Sequence, residues 1–417
     1  MAAGWKTRRC GELEAGKAEI RPGEVLLSLG SRFELEPGER EALARAAREA
    51  SPAEWEEVIE EALFRWTGGV LCHHLRGAGV EPPPRLQEEY RRIALEAVLG
   101  EAELKRLGPA LRGEGVRVLL IKGAALKGLI YANPGLRPTD DSDWVVRTPG
   151  EWEAACRALA SLGYRPSKGG LGATWERERF VVELHRNVIG DERVEARVPA
   201  GGGGGPGGGA DGAVWARSRP APLGEPFWAP APEDHLLILC AHLMKHSFEP
   251  GIWFTDLEAL LRAEPALDWG AVISRAGEWG LLRPLAYSLR GLGLLDGPRF
   301  GAPALALPAA ARGALMAAMP GPLDRLLLSL AGRSTRLRGE KEEWERPPIA
   351  NLLWLSSREG LGAKLGLLWE AAFPRHEVMG QIYPGYRPAL RGWFLLRRAA
   401  DLLRLALRLA ARLGRGR

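Results

Sequence analysis

The chain has 417 residues, of which 46% are hydrophobic and 26% are charged. It is therefore long enough for two or three domains and apolar enough to bury cores, which excludes a wholly disordered protein. The net charge of +5 is a mild basic bias that suggests an anionic partner.

Cysteine usage and hydropathy exclude two further classes of protein. The four cysteines lie far apart with no CxxC pair, which argues against a disulfide framework and a cysteine-based zinc site. No uncharged apolar run is long enough to span a membrane, and the first twenty residues contain no apolar core of a secretory signal. We therefore expect a cytoplasmic protein.

The N-terminal part of the sequence is predicted to be helical after an irregular start over residues 1–30. The segment Ser51-Pro52-Ala53-Glu54 is a capping box with proline at the first helical position, and it predicts a helix through Leu63. Leu86 to Leu111 has the apolar spacing of one or two amphipathic helices, with Gly100 as the weakest point.

The hydrophobic period then changes, and residues 116–190 alternate between predicted strands and helices. The predicted strands are Val116–Ile121, Asp143–Val146 and an antiparallel pair formed by Ala173–Arg179 and Phe180–His185, and the predicted helices are Ala124–Tyr131 and Pro149–Gly163. This pattern indicates a small mixed sheet between helical regions.

Glycine dominates residues 201–209, which predicts a disordered insertion. Helical patterns resume at Pro232, with predicted helices over Pro232–Ser247 and Asp256–Arg262 and another that starts at Asp268. The fold class is therefore α+β. The predicted divisions are a helical region at 1–110, an α/β core at 111–200, a glycine-rich insertion at 201–212, a helical domain at 213–388 and a basic amphipathic helix at 389–417.

Two aspartates at the start of the second strand are candidate metal ligands. Asp141 and Asp143 are separated by one residue, and the two-residue period of a strand puts both carboxylates on one face. Like charges this close repel each other unless a cation lies between them, and hard oxygen ligands favour Mg²⁺. The alternative is a solvated turn, because Thr139-Asp-Asp-Ser-Asp143 is also typical turn sequence.

Glu183 is a candidate third carboxylate. It lies in the middle of a predicted apolar strand, where a charge is costly unless it is paired or bound to metal, and His185 shares its face. If this strand lies beside the Asp143 strand, three carboxylates converge as two-metal phosphoryl transfer requires. The alternatives are an edge-strand charge paired with arginine for Glu183, and a hydrogen-bonded orienting role for His185.

The strand–turn–helix at Lys122-Gly123-Ala124 is a candidate phosphate site. Gly123 permits close approach of a ligand to the backbone, and the helix that follows offers free amide groups. Lys122, Lys127 and Arg137 would add positive charge around a triphosphate. The alternative is that Lys122 extends along the strand end without binding a ligand.

These motifs together resemble the nucleotidyltransferase superfamily that includes DNA polymerase beta. More closely, the chain is similar to a large, mostly uncharacterised bacterial nucleotidyltransferase family. The residues that carry the resemblance are Ile121-Lys-Gly-Ala-Ala-Leu126, Arg137-Pro138 with Asp141-Ser-Asp143, Glu183-Leu-His185 and Glu233-Asp-His235 with His242, His246 and Asp256.

The resemblance implies transfer of a nucleotidyl group from an NTP to an unknown acceptor, with Mg²⁺ or Mn²⁺ as cofactor. It implies that Asp141, Asp143 and Glu183 bind the ions, and that Lys122, Gly123, Ala124, Lys127, Arg137 and His185 bind the nucleotide. Ala124 and Ser142 depart from the superfamily pattern. The alternative function is therefore a catalytically inactive binding or regulatory protein of the same fold.

Other histidines carry a weaker signal. His242 and His246 are four residues apart on one predicted helix, with Asp256 in the next, which is compatible with zinc or with a buried hydrogen-bonded pair. We favour the buried pair, because the H-E-x-x-H motif is absent.

The basic bias is confined to the C-terminus. Residues 389–417 contain eight Arg and one Asp, a local charge of +7, so the rest of the chain carries −2. A basic amphipathic helix binds an anionic membrane, RNA or a protein partner, or it packs on the protein by its leucine face, and we favour the packed helix. A peripheral scaffold at the inner membrane face is thus a further alternative. The tryptophans do not alternate with basic residues, so the sequence contains no strong nucleic-acid signal.

Overall fold

A computed structural model describes residues 20–167, 173–189, 210–246, 248–249, 251–295, 305–319, 321, 354–357, 360–374, 376–383 and 385–415. Of the predicted glycine-rich insertion at 201–212, residues 201–209 lie outside the described residues, and the prediction is wrong at 210–212, which are helical. No helix in these ranges combines the length and the apolar character needed to cross a membrane.

The N-terminal part of the described chain is a helical bundle with its own apolar core. Its helices are α1 (Pro22–Gly30), α2 (Pro37–Glu49), α3 (Pro52–Phe64), α4 (Gly68–Gly77) and α5 (Pro84–Gly113). The expected irregular start is wrong over residues 22–30. There α1 begins with a proline and buries Leu26 and Leu29, a helix too short to show a clear period in the sequence.

Helix α3 confirms the capping-box prediction. The Glu54 amide donates to Ser51 Oγ at 3.3 Å, and the Ser51 amide donates to Glu54 Oε2 at 3.1 Å. Helix α5 is one continuous helix of 30 residues that passes through Gly100 without a break. Its length lets it pack against both the bundle and the sheet.

The sheet has the strand order β3-β4-β5-β2-β1-β7-β6. Its strands are β1 (Val118–Leu120), β2 (Ser142–Val145), β3 (Arg165–Pro166), β4 (Thr174–Arg177), β5 (Phe180–His185), β6 (Arg219–Pro220) and β7 (Phe227–Ala229). The β1–β2, β3–β4, β4–β5 and β6–β7 pairs are antiparallel, whereas β2–β5 and β1–β7 are parallel. The mixed sheet confirms the predicted fold class.

The predicted antiparallel pair is confirmed as β4 and β5. Strands β6 and β7 were not predicted, because they fall within residues 213–388, where the sequence indicated helices. Instead β7 adds to the sheet beside β1. The edge strands have two residues each, and Pro166 and Pro220 lie in them, which suits positions where one side needs no ladder bond.

Further helices lie between and after the strands. They are α6 (Lys122–Leu129), α7 (Pro149–Ser161), α8 (Ala210–Arg217), α9 (Pro232–Lys245), α10 (Ile252–Ala263), α11 (Trp269–Glu278), α12 (Leu282–Gly291), α13 (Ala309–Ala317), α14 (Gly360–Ala372), α15 (His376–Ile382) and α16 (Arg391–Arg415). The predicted helix at Pro232 is thus confirmed as α9.

The two sheet faces belong to different cores. Trp144 of β2 and Leu184 of β5 pack with α5 and α7 on one face. Val145 packs on the other face with the core of α9, α10 and α12. Because strand side chains alternate, Asp143 and His185 lie on the same face as Val145, towards the C-terminal helices.

Candidate functional site

Parallel pairing of β2 and β5 brings the two predicted acidic strands together. In the register of this pair, Asp143 lies opposite Glu183 and Val145 lies opposite His185. Among the residues that the structure describes, the grouping of potential metal ligands is Asp143, Glu183 and His185, whose donor atoms all lie within 4.8 Å of one another.

The carboxylate of Asp143 is the centre of this cluster. Its Oδ1 accepts a hydrogen bond from Lys122 Nζ at 2.5 Å and lies 2.7 Å from Nε2 of His185. The same His185 nitrogen is 3.7 Å from Oε2 of Glu183, whose side chain is 38% exposed. The cluster thus has a buried end at Lys122 and an end open to solvent at Glu183.

Charge balance within the cluster keeps Asp143 ionised. Burial alone would raise the pKa of Asp143, but the Lys122 ammonium and the contact with His185 hold it well below its usual range. Burial would likewise lower the pKa of Lys122, yet the negative charges of Asp143 and Asp141 raise it. The two side chains therefore form a buried ion pair at neutral pH.

Asp141 lies two residues before Asp143 and is not one of the three residues whose donor atoms lie within 4.8 Å of one another. Burial and the negative charges of Asp143 and Glu183 raise the pKa of Asp141 to about 7. An added cation would relieve this repulsion, so Asp141 is placed to respond to a bound metal.

The turn between β1 and α6 has an unusual backbone at Lys122. Lys122 has φ of 53°, in the left-handed region that non-glycine residues rarely adopt. It begins α6, so the amides of Lys122, Gly123 and Ala124 are in the first helical turn and have no helical acceptor. This geometry presents free amide donors beside the carboxylates.

Arg137 has a different environment from the one expected of a phosphate ligand. Its Nε and Nη2 donate to Asp256 of α10 at 2.9 and 2.8 Å, and both side chains are buried. Tyr131 also donates to Asp256, at 2.8 Å. A Cβ on Gly123 would lie 2.9 Å from Arg137 Nη2, so glycine is needed for the turn to pack on the guanidinium.

A cleft of about 770 Å³ is reached by Asp141, but Asp143, Glu183 and His185 do not line it. Ala124, Lys127, Asp140 and Asp141 are among its lining residues. Burial and the charge of Arg137 lower the pKa of Lys127 to about 8, and burial raises the pKa of Asp140. Of the predicted basic residues, Lys127 lies in the cleft without the carboxylate hydrogen bonds that Lys122 and Arg137 make.

The histidines of α9 have other surroundings. The rings of His242 and His246 lie 4.6 Å apart and pack on Trp253 at 4.3 and 4.8 Å. Asp256 is engaged by Arg137 and Tyr131, so it is not a third ligand beside these rings. Both histidines are half-buried, and Nδ1 of His242 has no hydrogen-bond partner within the described part of the chain, so the rings pack on Trp253 instead of forming the expected buried, hydrogen-bonded pair.

The donor set of the acidic cluster fits a divalent cation. Two carboxylates suit Mg²⁺ or Mn²⁺, and the imidazole nitrogen of His185 shifts the preference towards Mn²⁺. Both described hydrogen-bond partners of Asp143 contact Oδ1, so Oδ2 is left for a metal. A bound cation would also compete with the Lys122 ammonium.

Two residues outside the predicted set of site residues support the site. Asp256 fixes Arg137, and His235 of α9 makes a hydrogen bond with the backbone of Lys122. Burial lowers the pKa of His235 to about 3, so its ring is neutral. Both residues belong to the motif that carries the family resemblance, but that motif did not indicate these contacts.

Comparison with known proteins agrees with this geometry. The family described as uncharacterised nucleotidyltransferase matches residues 51–295, more than half of the chain. No curated protein and no solved structure matches the chain. The matched range contains the Lys122 turn, the Asp143 and Glu183 strands and the Arg137–Asp256 pair. Because the match covers more than half of the chain, the protein belongs to the uncharacterised nucleotidyltransferase family.

Proposed function

We propose that the protein transfers a nucleotidyl group from an NTP to an acceptor in a reaction that depends on Mg²⁺ or Mn²⁺. The observation that carries the proposal is the register of β2 and β5, which pairs Asp143 with Glu183 and brings His185 to the same cluster. Membership of a nucleotidyltransferase family supports the same reaction class.

In the proposed reaction, an acceptor oxygen or nitrogen attacks the α-phosphorus of the NTP. A new bond to phosphorus forms, the bond between the α-phosphorus and its bridging oxygen to the β-phosphate breaks, and pyrophosphate leaves. A divalent cation, when bound, would supply positive charge to the acceptor and to the phosphates.

Asp143 and Glu183 are the proposed metal ligands, with Asp141 beside them. Glu183 is the carboxylate nearest to solvent, since its side chain is 38% exposed, and it is proposed to favour removal of the acceptor proton. His185 holds Asp143 through the 2.7 Å contact and contributes a nitrogen donor to the same cluster.

The proposed phosphate site is the start of α6. The first-turn amides of Gly123 and Ala124 have no helical acceptor, and Ala124 and Lys127 line the cleft. Lys122 is proposed to exchange its bond with Asp143 for one with phosphate when a metal neutralises the carboxylates. Arg137 is proposed to act on the nucleotide indirectly, because its guanidinium supports Gly123 while bound to Asp256.

A second candidate function is nucleotide binding without transfer. The observation that favours it is the 2.5 Å bond between Lys122 and Asp143, which already neutralises a carboxylate that metal catalysis requires. The absence of a hydroxyl at Ala124 points the same way, because that position lacks a side-chain donor for phosphate.

Release of pyrophosphate from each NTP with Mg²⁺ or Mn²⁺, together with transfer of α-labelled phosphate to candidate acceptors, distinguishes these functions. We expect pyrophosphate release by the wild type and a loss of about a thousandfold or more in Asp143→Asn. NTP binding by calorimetry without pyrophosphate release would instead establish the second candidate.

A matched control variant is Asp268→Asn. Asp268 caps α11 by accepting a hydrogen bond from the Ala271 amide at 3.0 Å, and asparagine caps helices equally well. This control should turn over NTP at the wild-type rate. Equal turnover in Asp143→Asn and Asp268→Asn would reject the proposed site.

A further inference from the structure

Helix α14 exposes an apolar stripe to solvent. Leu361, Leu365, Leu368 and Trp369 recur at the spacing of one helix face, and each is at least half exposed. The buried side of the same helix includes Leu367 and the ammonium of Lys364, which donates to the Leu355 carbonyl at 3.1 Å. Covering an exposed apolar helix face with a partner is favourable, because it removes apolar surface from water.

Helix α16 carries a second stripe of the same kind. Leu396, Leu403 and Leu407 follow helical spacing from Trp393, and Leu396 is 73% exposed. On another side of the helix, Phe394 is buried in a small cluster with Met379 and Tyr383. Packing of α16 on the protein thus leaves this stripe uncovered.

The two stripes belong to one region of the molecule, because α14 and α16 contact each other. Ten of the fourteen large hydrophobic side chains that are exposed in the described ranges lie between residues 361 and 407. We call the stripe residues Leu361, Leu365, Leu368, Trp369, Trp393, Leu396, Leu403 and Leu407 the C-terminal apolar surface.

Positive charge borders this surface. Arg397 and Arg404 follow the exposed leucines of α16, and the Arg397 guanidinium lies 5.6 Å from the Trp393 ring centre. Residues 389–417 carry a net +7, whereas the remainder of the chain carries −2. An apolar stripe with arginines beside it and tryptophan within it is the composition of a helix that lies in a membrane interface.

We infer that the C-terminal apolar surface binds the surface of an anionic lipid membrane, with α14 and α16 lying in the plane of the interface. The leucines and tryptophans would enter the acyl boundary, while the arginines bind lipid phosphates. No described helix has the length and apolarity to span the bilayer, which agrees with interfacial binding.

The charge distribution favours lipid over a second copy of this chain. Two copies joined through this surface would bring two segments of +7 together, and like charges at an interface oppose association. An anionic bilayer supplies both the apolar layer and the opposite charge. This inference is independent of the proposed catalytic site, because it uses none of its residues.

Vesicle flotation tests the inference with the full-length protein. We expect binding to vesicles that contain phosphatidylglycerol. Binding to vesicles of phosphatidylcholine alone should be weaker by about tenfold or more. The double variant Leu365→Glu/Leu368→Glu should lower binding to the anionic vesicles about a hundredfold. The variant Arg397→Gln/Arg404→Gln should lower it about tenfold and reduce its salt dependence.

The matched control is Phe64→Glu/Leu95→Glu, which places the same charges on exposed hydrophobic positions of α3 and α5. It should bind vesicles as the wild type does. Equal binding of wild type and Leu365→Glu/Leu368→Glu to anionic vesicles would overturn the inference.

Two other outcomes would also overturn it. In the first, size-exclusion chromatography with light scattering shows a wild-type dimer that does not bind vesicles and that Leu365→Glu/Leu368→Glu abolishes. This result would assign the surface to a second copy. In the second, the wild type is a monomer that binds neither vesicle type, and Leu365→Glu/Leu368→Glu lowers its thermal stability. This result would assign the surface to contacts within the chain.

Discussion

Two buried ion pairs lie close to the same turn, yet their geometry differs. Arg137 binds both carboxylate oxygens of Asp256, and Tyr131 adds a third donor to that carboxylate. A planar guanidinium bound at two points has little freedom to exchange partners. The pair between Arg137 and Asp256 is therefore suited to holding α10 against the turn.

The pair between Lys122 and Asp143 has one contact, from a rotatable ammonium to a single oxygen. It is also continuous with Glu183, whose side chain reaches solvent. A point charge beside an open carboxylate can be replaced by another cation. Burial alone therefore does not distinguish the two pairs, whereas the number of contacts and access to solvent do.

Breaking the pair between Arg137 and Asp256 should have the largest effect on stability. Arg137→Met leaves the Asp256 carboxylate buried without its main partner, and we expect a loss of about 3–5 kcal/mol in the free energy of unfolding. Denaturation in urea measures this loss. Mn²⁺ should not restore it, and recovery with Mn²⁺ would remove the distinction between the two pairs.

Replacing Lys122 should have a smaller effect that a metal reverses. Lys122→Met is expected to lose about 2–3 kcal/mol, because His185 still contacts Asp143 and solvent reaches Glu183. Mn²⁺ at about a hundred times its Kd should restore about 2.7 kcal/mol through binding to the folded state. Thermal unfolding with and without Mn²⁺ measures both quantities.

The tyrosine beside Asp256 tests how tightly the structural pair is held. Tyr131→Phe removes the 2.8 Å hydrogen bond to Asp256 while keeping the ring, and we expect a loss of about 1.5–3 kcal/mol. Urea denaturation measures it. An unchanged free energy of unfolding would show that Arg137 alone satisfies this carboxylate.

The smallest effect is expected at Glu103, a buried carboxylate whose arginine partners are partly exposed, and this effect depends on pH. Glu103 of α5 accepts hydrogen bonds from Arg106 at 2.6 Å and from Tyr164 at 2.7 Å. The bond from Arg106, with that from Tyr164, lowers the pKa of Glu103 to about 2 from a usual value of 4.5. The stabilisation that the Glu103 carboxylate provides is therefore complete above pH 4.5 and is lost as the pH falls towards about 2.

Glu103→Gln should consequently lose about 1 kcal/mol at neutral pH, and the difference from wild type should vanish near pH 2. Chemical denaturation across this pH range measures the difference. A gap between the two proteins that stays constant with pH would mean that the carboxylate charge contributes nothing.

Local sequence patterns predicted the strands that carry the site. Alternation in Phe180–His185 placed Glu183 and His185 on one face, and the apolar run at Val118–Leu120 indicated a strand before the Lys122 turn. These features depend on neighbouring residues only, so they are visible in the sequence.

Partners from distant parts of the chain could not be predicted in the same way. Strand β7 pairs with β1 across more than a hundred residues and has only three residues, too few to show a period. The partners of Lys122 and Arg137 are likewise set by tertiary packing, which places Asp143 and Asp256 beside them. From charge and residue type alone, Lys122 and Arg137 were expected to be phosphate ligands.

Mn²⁺ binding, followed by electron paramagnetic resonance or calorimetry, tests the central claim most directly. We predict that the wild type binds Mn²⁺, that Lys122→Met binds it about tenfold more tightly because the competing ammonium is gone, and that Glu183→Gln binds it about tenfold or more weakly. The half-exposed position of Glu183 keeps that variant folded. Equal Mn²⁺ affinity in all three proteins would contradict the assignment of this cluster as a metal site in which Lys122 is an exchangeable counter-ion.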